Sequence, residues 1–428
     1  MSPEPLEASY RALLRIPSLA RVVLSMQLAR IAQSMVGVAL VLFTLLEYDS
    51  APLAGLVTFA SVIPGLVVSP IAGALLDRHG RVRLVQIDYV VAAGALVLVG
   101  GLSMADALPP WLLVLIAAVS SLTNPLSQTG LRSLFPIMVP RHLWERVNAV
   151  DSNGYVIAVI VGPPLAAVMV STLGPAIGLV LIALPMVIAA LMLIGVREPH
   201  TETASTGNLL LDAWQGLRYV AHNPTLRGLG AGMTVLNLGQ GILSIVVPLL
   251  ILEGMGSTEL AVGVAFAVSG VGGMISAIVY GRRDSRGREW RMLWVPMLGM
   301  TVVGLLMLPV ASGTAGSPVG YVLILGAMTV SGLLNGPVDI ALFTIRQRRT
   351  DPAWLGRAFA VSMAINFAGY PIGAAIAGTV AEASLEAAVL LSVLAFAGSA
   401  LLSAWLVPRT DPRDERVGRD GPVSRRET

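Results

Sequence analysis

Residues 22–45 read VVLSMQLARIAQSMVGVALVLFTL. After eight more residues comes AGLVTFASVIPGLVVSPIAGALL (54–76), then DRHGRVR (77–83), then a third apolar run from Leu84 to Leu102. Each run is long enough, at 1.5 Å per helical residue, to cross about 30 Å of hydrocarbon. The break before residue 54 is acidic, with Glu47 and Asp49, whereas the break after residue 76 is basic, with Arg78, Arg81 and Arg83. Apolar spans joined by loops of alternating sign define a membrane protein threaded back and forth.

The same pattern continues to the end of the chain and gives twelve spans: Val22–Leu45, Ala54–Leu76, Leu84–Leu102, Pro110–Leu131, Val150–Val170, Pro175–Val196, Gly228–Leu252, Leu260–Tyr280, Met292–Ala311, Val319–Ile345, Phe359–Val380 and Leu385–Leu406. Helices are expected, because a span in lipid satisfies its backbone internally and barrel strands would be shorter and alternate in polarity. Composition agrees: 55% of the 428 residues are hydrophobic and 12% charged, about half the charge of a soluble chain. Cysteine is absent and every one of the 28 basic residues is arginine. That excludes disulfides, thiol nucleophiles, Cys-based metal sites, Schiff-base lysines and the lysine-containing phosphate loop of ATP-driven pumps.

With the N-terminus placed in the cytoplasm, 27 of the 28 arginines fall in cytoplasmic segments, and the opposite loops carry only acids: Glu47, Asp49, Asp106, Glu253, Glu259, Glu382 and Glu386. The positive-inside bias therefore puts both termini in the cytoplasm of a cell-membrane protein. It also accounts for the net charge of +3 as an insertion signal, not a nucleic-acid surface. The expected units are residues 1–21 as a cytoplasmic N-terminus, 22–196 as a six-helix bundle, 197–227 as a linker with an amphipathic helix over Leu209–Ala221, 228–407 as a second six-helix bundle, and 408–428 as a disordered tail.

The two bundles echo each other. Gly73, Asp77 and Gly80 correspond to Gly281, Asp284 and Gly287; Asn124 and Gln128 to Asn335 and Asp339; Gln33 to Gln240; Arg30 to Asn237. Two homologous halves with a site between them are the arrangement of secondary transporters. At this point a family becomes visible. Gly73-Ala-Leu-Leu-Asp77-Arg78-His79-Gly80-Arg81-Val-Arg83 resembles the signature loop of the major facilitator superfamily, and Gly281-Arg-Arg-Asp284-Ser-Arg-Gly287-Arg288 resembles its weaker second copy. Pro70–Asp88, Arg132–Asp151, Asp212–Leu229 and Leu342–Gly373 resemble macrolide and siderophore exporters of that superfamily. Gly162-Pro163, preceded by Gly154, resembles a helix-bending motif of its antiporters, although Ala166 and Ala167 stand where that motif usually has two glycines.

The fold implied is an all-α membrane protein, twelve transmembrane helices in two six-helix pseudo-symmetric halves. The resemblance also implies a latch between the halves at Asp77 and Arg81, with Gly73, Arg78, Gly80, Gly281, Asp284, Gly287 and Arg288 belonging to the same two loops. Asp88, near the start of span three, is open to three readings: a member of that latch, a structural partner, or a proton carrier. Spans one, four, seven and ten surround the cavity in the resembled fold, and each carries a polar stripe here: Gln27, Arg30, Gln33 and Ser34; Asn124 and Gln128; Thr234, Asn237, Gln240 and Ser244; Asn335 and Asp339. Gly336 and Pro337, like Pro125, are expected to loosen their helices. Ser362, Asn366 and Tyr370 recur at helical spacing in span eleven, and Tyr155 shares a face with Asp151.

An arginine nine residues into a span is costly when unpaired. Arg30 either snorkels to the headgroups or faces a watery cavity and meets a carboxylate or an anionic substrate. Asp339 and Asp151 are the candidate carboxylates for proton coupling, while each lone Asn or Gln has interhelical bonding as its alternative role. The expected function is proton-coupled efflux of small amphipathic molecules by alternating access, with a small-molecule substrate, protons and the lipid bilayer as partners. No enzyme activity, cofactor, metal or nucleic acid is expected, and the chain reads as a monomer. A nutrient importer on the same fold, a membrane-embedded enzyme and a non-transporting sensor are the alternatives.

Overall fold

A computed structural model describes residues 10–140, 143–198, 209–281, 287–350 and 355–410. Among them are twelve helices long and apolar enough to cross a membrane: spans one to twelve are Leu19–Tyr48, Ala51–Ser69, Arg81–Met104, Pro110–Gln128, Gly154–Leu173, Pro175–Met192, Pro224–Gly254, Glu259–Tyr280, Glu289–Ala311, Pro318–Arg346, Val361–Ala383 and Leu385–Leu406. Several helices outrun their apolar runs: span one reaches Tyr48, and the helix carrying span five begins at Trp144. Backbone hydrogen bonding continues past the hydrocarbon edge until a cap or a glycine ends it. Ser50, Asn223 and Ser384 cap the helices that follow them with their side chains, and Gly80 turns the chain at φ 88°, a conformation open to glycine.

Two spans are broken. Span two consists of Ala51–Ala60 and Ile63–His79, and span four of Pro110–Ser121 and Asn124–Gly130. Pro64 and Pro125 stand in the first turn of the second segments, where a missing N–H costs least. The breaks face each other: the Gly65 amide donates to the Ser121 hydroxyl at 3.2 Å, which satisfies an orphan donor of the restarted helix. Span ten differs from expectation. Despite Gly336 and Pro337 its helix runs unbroken from Ser317 to Arg349, and Gly336 instead admits Ser276 of span eight.

Spans one to six and seven to twelve form the two halves. Within the first, span one packs on five and six, and three on six; within the second, seven packs on eleven and twelve, eight on ten, and nine on ten and twelve. An arginine closes the last helix of each half: Arg21 donates to the carbonyls of Met192 and Ile194 at 3.1 and 2.6 Å, and Arg349 to that of Pro408 at 2.6 Å. A cation placed on unpaired carbonyls also suits the negative end of the helix dipole. The helix Leu209–His222 lies against span eleven and touches span two, so it contacts both halves.

The halves meet along two seams, span two on eleven and span five on eight. Both seams are built on glycine. A side chain on Gly55 would collide with the Ala374 carbonyl and one on Gly378 with Ala51, while Gly263 lies on Pro164 and Ala167 and Gly270 on Ile160. These contacts, and the shared core of Ala54, Val57, Ala166, Ala167, Ala261, Ala265, Ala374 and Ala377, lie in the part of the bundle remote from the arginine-rich loops. Toward those loops the first half keeps a core of its own, including Leu19, Val22, Leu131, Leu134 and Leu193. Among the described residues the halves are packed closely at the arginine-poor end and less closely toward the other, where a cleft separates them.

The natural lack of cysteine makes two measurements clean. In intact cells, a membrane-impermeant maleimide is expected to label Thr314→Cys, and to label Arg218→Cys only after permeabilisation; the reverse pattern would invert the orientation. Gly378→Val is expected to push the arginine-poor end apart, seen as a longer distance between spin labels at Glu47→Cys and Glu382→Cys. An unchanged distance would show that the seam tolerates a side chain.

Candidate functional site

Three charged side chains of the first half form one cluster. Arg30 of span one lies 2.6 Å from Asp151 Oδ1 and donates to the Asp151 main-chain carbonyl at 2.9 Å. Arg132, just past span four, reaches Asp151 Oδ2 at 2.9 Å. The Arg30 and Asp151 side chains are 12% and 9% exposed, whereas that of Arg132 is 50% exposed. Arg30 therefore turns inward to span five and does not reach for the headgroups, and Asp151 is held by two guanidinium groups. Sequence alone counts Arg132 as a loop charge and misses this role. The available signal is its spacing of four from Gln128 and eight from Asn124, one continuous helix face.

Asp339 has a different environment. It is exposed to solvent although protein surrounds it on most sides, which is the signature of a cleft wall. Its charge is felt at Tyr155 of span five, as are those of Arg30 and Arg132. Tyr155 is itself 51% exposed. Asp339 from the second half and the arginine–aspartate cluster from the first thus flank one tyrosine across the gap between the halves. Among the described residues no ion pair holds Asp339.

The polar stripes pair up as the repeat would have them. Gln33 donates to Ser127 at 3.2 Å and accepts from Gln128 at 3.3 Å, and Gln128 also reaches Asn124 at 3.4 Å. In the second half Gln240 donates to Asn335 at 3.0 Å. Span one is thus tied to four, and seven to ten, by matching amides, with Gln128 exposed toward the cleft.

Several other candidates are engaged by neighbouring helices or by their own. Gln27 and Ser34 turn to span five, where Gly154 and Gly162 leave room for them, so those glycines seat one helix on another, and the helix runs on through Pro163. Thr234 donates to the Ile365 carbonyl at 2.9 Å, Tyr370 bonds with Ser244, and Asn237 donates to Met233 of its own helix at 2.9 Å. Ser244, Ser362 and Asn366 are 8%, 0% and 2% exposed. Polarity at helical spacing does not separate a cleft face from a face covered by a neighbouring helix. What covers Ser362 and Asn366 is Arg346 of span ten, which by sequence belongs among the loop charges. Wholly buried, it lies 2.8 Å from the Met363 sulfur and 2.7 Å from the Asn366 amide oxygen when that group is turned toward it.

The loop expected to latch the halves is held within its own half in this conformation. Arg81 pairs with Glu198, which follows span six, at 2.8 Å, and Glu198 also accepts from the Arg81 amide at 2.7 Å. Asp88 does not join it. At 2% exposure it is packed inside the first half against Thr123 and Ser127 of span four. Gly73, Asp77, Arg78 and Gly281 belong to helices, but their side chains, like the whole of Asp284, lie outside the described residues. Gly287 adopts φ 76°, and Arg288 begins span nine. At the corresponding end of the second half Glu289 pairs with Arg348. Among the described residues no three His, Asp or Glu side chains gather as a metal site.

The model of the Major Facilitator Superfamily matches residues 22–367 and 229–426. The uncharacterized MFS-type transporter y4rN of Sinorhizobium fredii is 36% identical over 415 residues, covering 95% of this chain and 99% of that one. The multidrug efflux pump Tap of Mycobacterium tuberculosis is 28% identical over 371 residues, covering 81% and 84%. Among solved structures, a mutant of the nucleoside transporter NupG superposes with a TM-score of 0.71 at 14% identity, covering 90% of this chain and 97% of that one. With twelve apolar spans in two halves and a family match running nearly from end to end, this chain is an integral membrane transporter of the major facilitator superfamily.

Proposed function

We propose that the protein exports small amphipathic molecules in exchange for protons, by alternating access, with the arginine-rich end in the cytoplasm. The observation that carries this reading is Asp339: a carboxylate on the cleft wall, without an ion pair among the described residues, opposite Arg30 and Arg132 across Tyr155. In the conformation open to the arginine-rich end it is free to take a proton. When the halves close over it, the half-exposed Arg132 is the cation within its reach, and pairing favours the ionised acid and release of the proton. Asp151 serves as the resident partner that keeps both arginines in place while the cleft is open. A membrane potential supplies about 2.3 kcal/mol per charge per 100 mV to such a cycle. Export is favoured over import by the similarity to the efflux pump Tap. Localisation in the cell membrane and action as a monomer belong to the same proposal.

The test uses everted membrane vesicles with ethidium and erythromycin as probes. Proton exchange predicts accumulation inside vesicles whose lumen is acid; accumulation driven instead by an acid exterior would make the protein an importer. Asp339→Asn is expected to lower the gradient-driven component about tenfold, the equivalent of about one pH unit of driving force, while flux down the probe's own gradient persists. Transport equal to wild type removes Asp339 from the coupling step. Stability separates the two arginines: Arg30→Ala, which breaks a buried pair, should cost about 3 kcal/mol. Arg132→Ala, at a half-exposed pair, should cost about 1 kcal/mol or less. Both are read as thermal unfolding of purified protein, and equal losses would contradict the asymmetry in burial.

A further inference from the structure

Span nine does not run as one α-helix to its arginine-poor end. The helix Glu289–Gly304 gives way to a 3₁₀ turn at Leu305–Met307 and a last helical turn at Leu308–Ala311. Between this end and the start of span twelve lies a groove of about 520 Å³. Its walls include Leu305, Leu308 and Leu390, and its polar groups gather at one end. Ser312 and Thr314 stand just past span nine, and Glu386 in the first turn of span twelve. From the groove two exposed apolar stripes lead toward the middle of the membrane: Leu305, Val302 and Leu298 on span nine, Leu390 and Leu394 on span twelve. Glu386 and Leu394 are separated by about 12 Å along the helix axis, close to half of the roughly 30 Å of hydrocarbon. That is the reach of an acyl chain within one leaflet.

An apolar track headed by polar groups fits a phospholipid, and the polar groups select among headgroups. Among the described residues Glu386 is the only charged one lining the groove. The loops at this end of the chain carry acids and no arginine, so an anionic headgroup finds no cation there. Thr314 donates to the Pro309 carbonyl at 3.1 Å. Ser312 lies 3.4 Å from that carbonyl and 3.0 Å from the Thr314 hydroxyl. With their hydrogens turned to acceptors of their own turn, the two hydroxyls offer lone pairs outward. Lone pairs beside a carboxylate suit a cation that carries N–H groups. A primary ammonium has three such groups, a trimethylammonium has none, and a glycerol headgroup has no positive charge. We propose that this groove binds a phospholipid with a primary-amine headgroup, phosphatidylethanolamine. Its ammonium sits on Glu386, Ser312 and Thr314, and one acyl chain runs along Leu390 and Leu394. The site belongs to the second half alone and does not depend on how transport is coupled.

Native mass spectrometry of the purified full chain reads the site without any cargo. The probes are dioleoyl phosphatidylethanolamine, phosphatidylcholine and phosphatidylglycerol, offered as an equimolar mixture. The wild type is expected to retain the ethanolamine lipid about fivefold over the other two, the worth of one exposed ion pair. Glu386→Gln should abolish that preference. Glu382→Gln, which removes an exposed acid from the same end but outside the groove, should keep it. Leu390→Trp, which fills the track, should lower retention of the ethanolamine lipid to that of the choline lipid. A carboxylate in the first turn of a helix also suits the helix dipole, but that role alone creates no preference in the wild type. Equal retention of the three lipids by the wild type overturns the proposal, and so does loss of the preference in Glu382→Gln. A dimer that forms at the expense of bound lipid would assign the groove to a second copy of the chain and overturn it too.

Discussion

A charge placed among apolar helices is tolerated only when something answers it, and that constraint orders this molecule. Arg30 stands where hydrocarbon would otherwise surround it, and span five answers with Asp151, to which Arg132 adds a second cation. Once these three are fixed, the first half has its helices one, four and five tied together at the depth of the cleft. Asp339 is the counterexample that gives the arrangement meaning, since it is left for the opposing half or for the medium to answer. Asp88 shows a third solution, a buried carboxyl packed among the hydroxyls of span four.

The two halves repeat devices more faithfully than residues. Amides bridge span one to four and seven to ten, an arginine closes the final helix of each half, and a left-handed glycine turns the chain before spans three and nine. Where they differ, the difference is electrostatic. The first half holds Arg132 on a carboxylate, while the second holds Arg346 on the Asn366 amide and the Met363 sulfur. A repeat that has exchanged an acid for a neutral partner concentrates its ionisable chemistry in one half and in the aspartate that faces it.

Length, hydropathy and arginine placement are enough to read the twelve spans, because each property is summed over about twenty residues and survives local exceptions. The repeat offsets are enough to set Gln33 over Gln240 and Asn124 over Asn335, and the structure adds that these amides bridge span one to four and seven to ten. What the sequence hides is direction. Ser362, Asn366 and Ser244 have the same spacing as cleft residues, and only the crossing of a neighbouring helix decides that they are covered. Glu198 and Arg132 are hidden for the related reason that their partners, Arg81 and Asp151, are remote in sequence or across a helix boundary. Pro64 stands at a break in span two while Pro337 leaves span ten whole; a proline reports that a hydrogen bond is missing, and the surrounding helices determine whether the axis gives way.

The facing breaks in spans two and four carry a mechanical consequence. Gly65 and Ser121 join the two helices at the point where each restarts, so bending one carries the other with it. The segments beyond, Ile63–His79 and Asn124–Gly130, act as paired forearms on a common elbow. The segments beyond the breaks can therefore flex together while the seams at the arginine-poor end stay in contact.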